Sequence, residues 1–153
     1  MEQPTADLAI ALRSEVRGEA FFRSAYYAAL FSSSKNTAKI LWQLETQTKN
    51  RIIAYFAVNN LEVPKLRWTA AKGSILGVFS VFFPRHVVLR EILKETEYYL
   101  AVFLRLEEQA PAKDKELFKY IVAHEVAIAE FAKIELTNSV KNSLEPIAAL
   151  INR

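Results

Sequence analysis

Four glutamates interrupt rows of apolar residues at helical spacing: Glu19, Glu45, Glu95 and Glu125. Glu19 lies in the row Leu12, Glu15, Glu19, Phe22, Tyr26. Glu45 lies in Leu41, Glu45, Thr48, Ile52, Tyr55. Among Glu91, Glu95 and Glu97, periodicity selects Glu95, within Val88, Ile92, Tyr99, Val102 and Leu106. Glu125 breaks Phe118, Ile121, Ile128, Ala132. Four acids meeting in one core cannot all stay charged, because burial and like charge both raise a carboxyl pKa. Three arrangements relieve them: a pair of hard metal ions such as Fe or Mn, hydrogen bonds to Tyr26, Tyr55 and Tyr99 or salt bridges, and shared protons.

The elements carrying these acids read as four long helices. Helix A follows Pro4 and Thr5, with Asp7 at its cap or first turn, and continues to Leu30. Phe31 to Asn36 is expected as a break, because short polar side chains compete with the helix for hydrogen bonds. Helix B is expected over Thr37–Val58, closed by Asn59-Asn60 with Pro64 beyond. Helix C is expected from Arg85 to Gln109, and helix D from Asp114 to Thr137. Asn138-Ser139 and Asn142-Ser143 loosen the chain before a short tail helix, Leu144 to Ile151. Short connections and a long B–C link predict one all-α domain over 1–153, an antiparallel four-helix bundle with a B–C crossover.

The crossover has its own chemistry. KLRWTAAKGSILGVFSVFFP starts basic and aromatic and is almost wholly apolar from Ser74 to Pro84. That stretch is too short for a transmembrane helix, which needs about 20 residues. It predicts a short helix tucked on the bundle. Alternatively, it forms a membrane-lying patch or ligand mouth built on Trp68, Lys72, Phe79, Phe82 and Phe83, with Arg67 and Arg85 at its edge.

Composition closes several routes. The chain has 153 residues, 52% hydrophobic and 24% charged, with 3 glycines, 5 prolines and no cysteine. Thiolate metal sites, disulfides and cysteine nucleophiles are therefore excluded. The net charge of +3 is mild and interspersed with acids, so nucleic acid is not an expected partner. No P-loop, dinucleotide fingerprint or Ser–His–acid spacing is present. The N-terminus lacks a basic start followed by an apolar run, so the expected location is cytoplasmic, with peripheral contact at the inner membrane face and no transmembrane span.

The order of these features resembles the ferritin-like di-iron proteins, and most nearly the demethoxyubiquinone hydroxylases. Gly18-Glu19-Ala20-Phe21-Phe22 with Tyr26 and Tyr27 is similar to the first ligand helix. Glu45 stands at the first position of a Glu-x-x-His, and Pro64, Trp68, Gly73 and Gly77 follow in similar order. Glu95 matches the third-helix ligand, and Glu125 begins the second Glu-x-x-His. The resemblance covers roughly residues 8–136. It implies a ferritin-like fold, a di-metal site on Glu19, Glu45, Glu95 and Glu125, a hydrophobic quinone-like substrate and, by analogy, a homodimer.

The departure is at the histidines. Ferritin-like di-iron sites take a Glu from two helices and a Glu-x-x-His from each of the other two. Thr48 and Ile128 occupy the two histidine positions here. Of the two histidines present, His86 is expected at an exposed helix start, and His124 on a flank or beside the site. The expected function is thus a non-catalytic binding or structural role with a degenerate di-metal site holding no metal or a weakly bound Fe/Mn pair. The alternative is a metal-dependent oxidoreductase or hydroxylase acting on a quinone-like molecule.

Overall fold

A computed structural model describes residues 3–30, 32–137 and 139–152. Phe31 and Asn138, which begin two of the expected breaks, lie outside the described residues. Six helices and no strand occur among the described residues, so the protein is all-α. They are α1 (Gln3–Ala28), α2 (Ser32–Val58), α3 (Arg67–Ser80), α4 (Arg85–Gln109), α5 (Lys115–Leu136) and α6 (Glu145–Ile151). No helix among them is long and apolar enough to cross a membrane.

Three helix starts differ from expectation, the first being α1, which begins at Gln3 and not after Pro4 and Thr5. Residues 32–36 belong to α2 rather than to a break. Serine and asparagine cost a helix only a few tenths of a kcal/mol each, which continuation of a long helix readily overrides. The crossover helix starts at Arg67, well before Ser74. Ala70 and Ala71 favour helix, and Gly73 and Gly77 are tolerated because they serve packing. Asn59-Asn60 does end α2: Asn60 takes a left-handed φ of 51°. Asn60 N–H donates to the Ala57 carbonyl (3.2 Å) and Leu61 N–H to the Phe56 carbonyl (2.9 Å). This is the Schellman pattern, with asparagine in the place glycine usually fills. Pro84 separates α3 from α4 with an extended ψ of 136°.

The described chain divides into two compact units, with the boundary falling inside α1. The first comprises residues 12–83. Here α1 and α2 run antiparallel: Glu19 meets Thr46 and Lys49, whereas Tyr26 and Tyr27 meet Trp42. Ring centroids of Tyr26 and Trp42 are 6.0 Å apart. Helix α3 lies along α1 in the same direction. A methyl group on Gly73 would strike the Arg17 carbonyl, and one on Gly77 the Phe21 carbonyl. The Gly-x-x-x-Gly spacing puts both bare positions on one face, so the two backbones touch.

The second unit comprises residues 1–11 and 84–153. Helices α4 and α5 pair along their lengths, and α6 packs on α5. Arg85 at the start of α4 holds Glu135 near the end of α5 (2.6 Å), so these helices are antiparallel. The core here includes Leu89, Phe103, Leu106, Phe118, Ile121 and Phe131. Ile147 and Leu150 of α6 are buried, which secures the tail. Asp7 is neither a cap nor in the first turn. It is buried, and Arg105 grips it with two hydrogen bonds, Nε to Oδ2 (3.0 Å) and Nη2 to Oδ1 (3.1 Å).

The α3 seat decides between two opposed effects. Helix propensity alone predicts that Gly77→Ala stabilises by about 1 kcal/mol. Backbone contact at Phe21 predicts a net loss of about 1–3 kcal/mol instead. Urea unfolding followed by circular dichroism distinguishes them, and the second outcome is expected.

Candidate functional site

The densest chemistry of residues 12–83 is a pair of buried acids, Glu15 and Glu45. Their carboxylate oxygens come within 4.8 Å, and the two side chains share a hydrogen bond. Glu15 lies one turn before Glu19, on the seven-residue line Leu8, Glu15, Phe22, Ala29, all of whose members are buried. That line was the signal available in the sequence, and the Glu19 reading passed over it.

Gly18 makes room for the pair. A side chain there would occupy the space of the Glu45 carboxyl group. The Gly18-Glu19 dipeptide thus works through its glycine: α1 is pared to backbone where the α2 acid arrives. Glu19 itself is on the edge of the helix pair. Its Oε1 accepts from Lys49 Nζ at 2.6 Å and from Thr46 Oγ1 at 2.9 Å. The side chains of Glu19 and Lys49 are both about four-fifths buried (17% and 18% exposed). Glu19 is therefore committed to a partly buried ion pair.

Burial pushes the Glu45 carboxyl up to about 8 from 4.5. The hydrogen bond with Glu15 pulls in the opposite direction, the Glu19 charge adds to the rise, and the Arg17 charge lowers it. The pair consequently holds at least one proton at neutral pH, and its titration belongs to both groups together. Of the three ways to relieve buried acids, a shared proton is one that this pair supplies from its own atoms.

The remaining expected site residues are placed as follows. Thr48 is buried, and its hydroxyl donates to the Leu44 carbonyl (3.1 Å) within its own helix. Tyr26 and Tyr55 are half-buried; Tyr26 stacks edge-on with Tyr27. On α4, Glu95 is exposed, which corrects the expectation that it faces inward. The buried polar residue there is its neighbour Thr96, whose hydroxyl donates to the Leu93 carbonyl. The row through Glu95 is offset because α4 buries Leu89, Thr96 and Phe103, a seven-residue line one position further on. Tyr99 is half-buried, with its ring 6.4 Å from that of Phe103. On α5, Glu125 and Ile128 are buried as the periodicity predicts.

His124 is also buried, only 1% exposed, rather than on a flank. Helix α5 buries almost its whole circumference between Ile121 and Ala132, so a 100° step from Glu125 still points inward. Burial lowers the His124 pKa from 6.5 to about 3, so the ring is neutral and keeps a nitrogen lone pair at physiological pH. His86 is exposed at the start of α4.

These placements do not fit the ligand set of a ferritin-like di-iron centre. Glu19 is engaged by Lys49, Glu95 is exposed, and a hydroxyl and an alkyl group stand where two imidazoles are needed. The crossover residues are all exposed: Trp68, Lys72, Phe79, Phe82 and Phe83. The chain matches no protein-family profile, no curated protein and no solved structure.

Stability should follow both buried titrations. Native Glu45 keeps its proton where the unfolded chain releases it, so its contribution falls as pH rises from 4.5 through about 8. Native His124 refuses a proton that the unfolded chain accepts, so its contribution is lost as pH falls from 6.5 through about 3. The expected profile declines on both sides of a plateau in the mildly acidic range. Glu45→Gln should flatten the alkaline limb and His124→Gln the acid limb. Gly18→Ala, which displaces the Glu45 carboxyl, should also alter the alkaline limb. Denaturation midpoints across this range test all three, and an alkaline limb unchanged in Glu45→Gln would remove the assignment.

Proposed function

We propose that this protein is a ferritin-like helical bundle whose di-metal site is degenerate, and that it acts as a binding or structural protein rather than an oxidoreductase. The observation that carries the reading is the buried Glu15–Glu45 pair, whose side chains share a hydrogen bond beside Gly18. A carboxyl pair of this kind can be neutralised by a proton without a metal. The lost histidine positions, Thr48 and Ile128, support the same reading, since neither alkyl carbon nor a hydroxyl already donating to its own helix replaces an imidazole.

The acid pair contributes a protonated, desolvated seam between helices, and binding is left to its surfaces. A homodimer and a hydrophobic small ligand remain part of the proposal, as does a peripheral, cytoplasmic position. The competing reading, a metal-dependent hydroxylase, rests on the same acids, because hard cations suit carboxylates.

Metal analysis of protein produced with iron and manganese supplied separates the two. The expected result is far less than one metal ion per chain and a melting temperature unaffected by chelator. Two ions per chain, lost in Glu45→Gln, would overturn the non-catalytic reading. His124→Gln, measured in parallel, reports whether the buried imidazole takes part in any ion uptake.

A further inference from the structure

The segment from Pro64 to Phe83 carries a feature that the acid pair does not use. Helix α3 turns its two glycines onto the α1 backbone, which leaves the opposite face outward. On that face Trp68, Ile75 and Phe79 recur at spacings of seven and four residues. Beyond the helix, a turn closed by Phe82 N–H to Phe79 O (3.0 Å) and Phe83 N–H to Ser80 O (3.2 Å) extends the same apolar character. Trp68 is 83% exposed and Phe82 76% exposed, and Phe79 and Phe83 are each more than half exposed. At roughly 150–250 Å² per aromatic side chain, these four alone show water on the order of 400–700 Å². A patch of that size is at or above the largest that an ordinary monomer exposes, about 300–600 Å², and such patches are often functional.

Charge selects the occupant. Lys65, Arg67 and Lys72 are all exposed, and no acidic residue lies between Pro64 and Phe83. A second copy of the chain meeting this face about a two-fold axis would bring these cations against their own equivalents. An anionic bilayer surface pairs them with phosphates and takes the aromatic rings at headgroup depth, where tryptophan partitions favourably. Lys72 sits one turn after Trp68 on the outward face, and its alkyl stem can lie along the rings while the ammonium reaches a headgroup. The helix has 14 residues, about 21 Å of rise, so it lies in the interface and does not span a hydrocarbon core of about 30 Å.

We propose that the outward face of α3 and the turn through Phe83 form a docking surface for an anionic lipid bilayer, with Trp68, Phe79 and Phe82 inserted and Lys65, Arg67 and Lys72 on the headgroups. The close seat of α3 on α1 gives this surface its stiffness. Because the glycines fix the helix by backbone contact, the aromatic face is presented without a folding step. This inference does not rest on the fate of the metal site.

The test uses the full chain carrying Trp42→Phe, which leaves Trp68 as the sole tryptophan. Its emission and its co-sedimentation are measured with vesicles of phosphatidylcholine and of phosphatidylcholine mixed with phosphatidylglycerol. The expected result is a blue shift and co-sedimentation with the mixed vesicles, weakened by salt. Phe82→Asp should reduce binding by about tenfold to a hundredfold, and Lys72→Glu by about tenfold. Both positions are exposed, so helical content and melting temperature should be unchanged; if Phe82→Asp unfolds the chain, Lys72→Glu decides alone. Equal binding to both vesicle types, or none to the mixed vesicles, overturns the proposal. So does a blue shift that grows with protein concentration in the absence of lipid, which would make the occupant a second copy.

Discussion

Backbone-close packing around α1 is the constraint on which the rest of residues 12–83 depends. The chain has only three glycines, and all three are spent there. Each sits inside a helix, where glycine costs about 1 kcal/mol relative to alanine. Gly18 strips α1 to its backbone where the Glu45 carboxyl arrives, and Gly73 and Gly77 strip α3 where it meets the Arg17 and Phe21 carbonyls. Helices normally pack about 8–10 Å apart with side chains interleaved. Here α3 approaches α1 without that spacer, and at Gly18 the α1 side chain gives way to the Glu45 carboxyl group of α2.

The acid pair is the electrostatic consequence. A carboxyl group seated against a glycine inside a helix pair loses water. Its lowest-energy state is protonated, with Glu15 as hydrogen-bond partner. Glu19, one turn away, has the opposite fate. Near the edge of the same helix pair, Lys49 reaches it, and it forms an ion pair. A rotation of 40° about the helix axis, the offset between residues four apart, separates a group governed by burial from one governed by a counter-charge.

The α3 face shows the same economy in reverse. A helix that gives its small residues to packing has only its large ones left for the surface. Trp68, Phe79 and Phe82 are exposed because Gly73 and Gly77 occupy the contact. In residues 84–153 no such compression occurs. Ordinary side-chain interdigitation between α4 and α5, with Arg85–Glu135 at one end, is sufficient there. Asp7 adds a buried carboxylate gripped by a two-pronged guanidinium.

Much of the helical layout was legible in the chain itself. Long apolar periodicities, Pro84 and Asn59-Asn60 determined four long helices and a short tail helix, with C-terminal ends close to those observed, because breakers and caps act locally. The inward positions of Glu45, Glu125 and Ile128 were legible for the same reason: each helix there has one clear apolar face. Glu19 and Glu95 were misread because α1 and α4 each offer two overlapping rows of apolar residues. Choosing between rows needs the direction of the neighbouring helix, which periodicity does not contain. Of the two places expected for His124, burial removes the flank, since a helix buried on most sides has none. Only the tertiary structure decided that Glu15 partners Glu45, that Gly18 makes room for the meeting, and that the aromatic side of α3 faces water. Those outcomes depend on which backbones touch, and contact between residues far apart in the chain leaves no local trace in either spacing or composition.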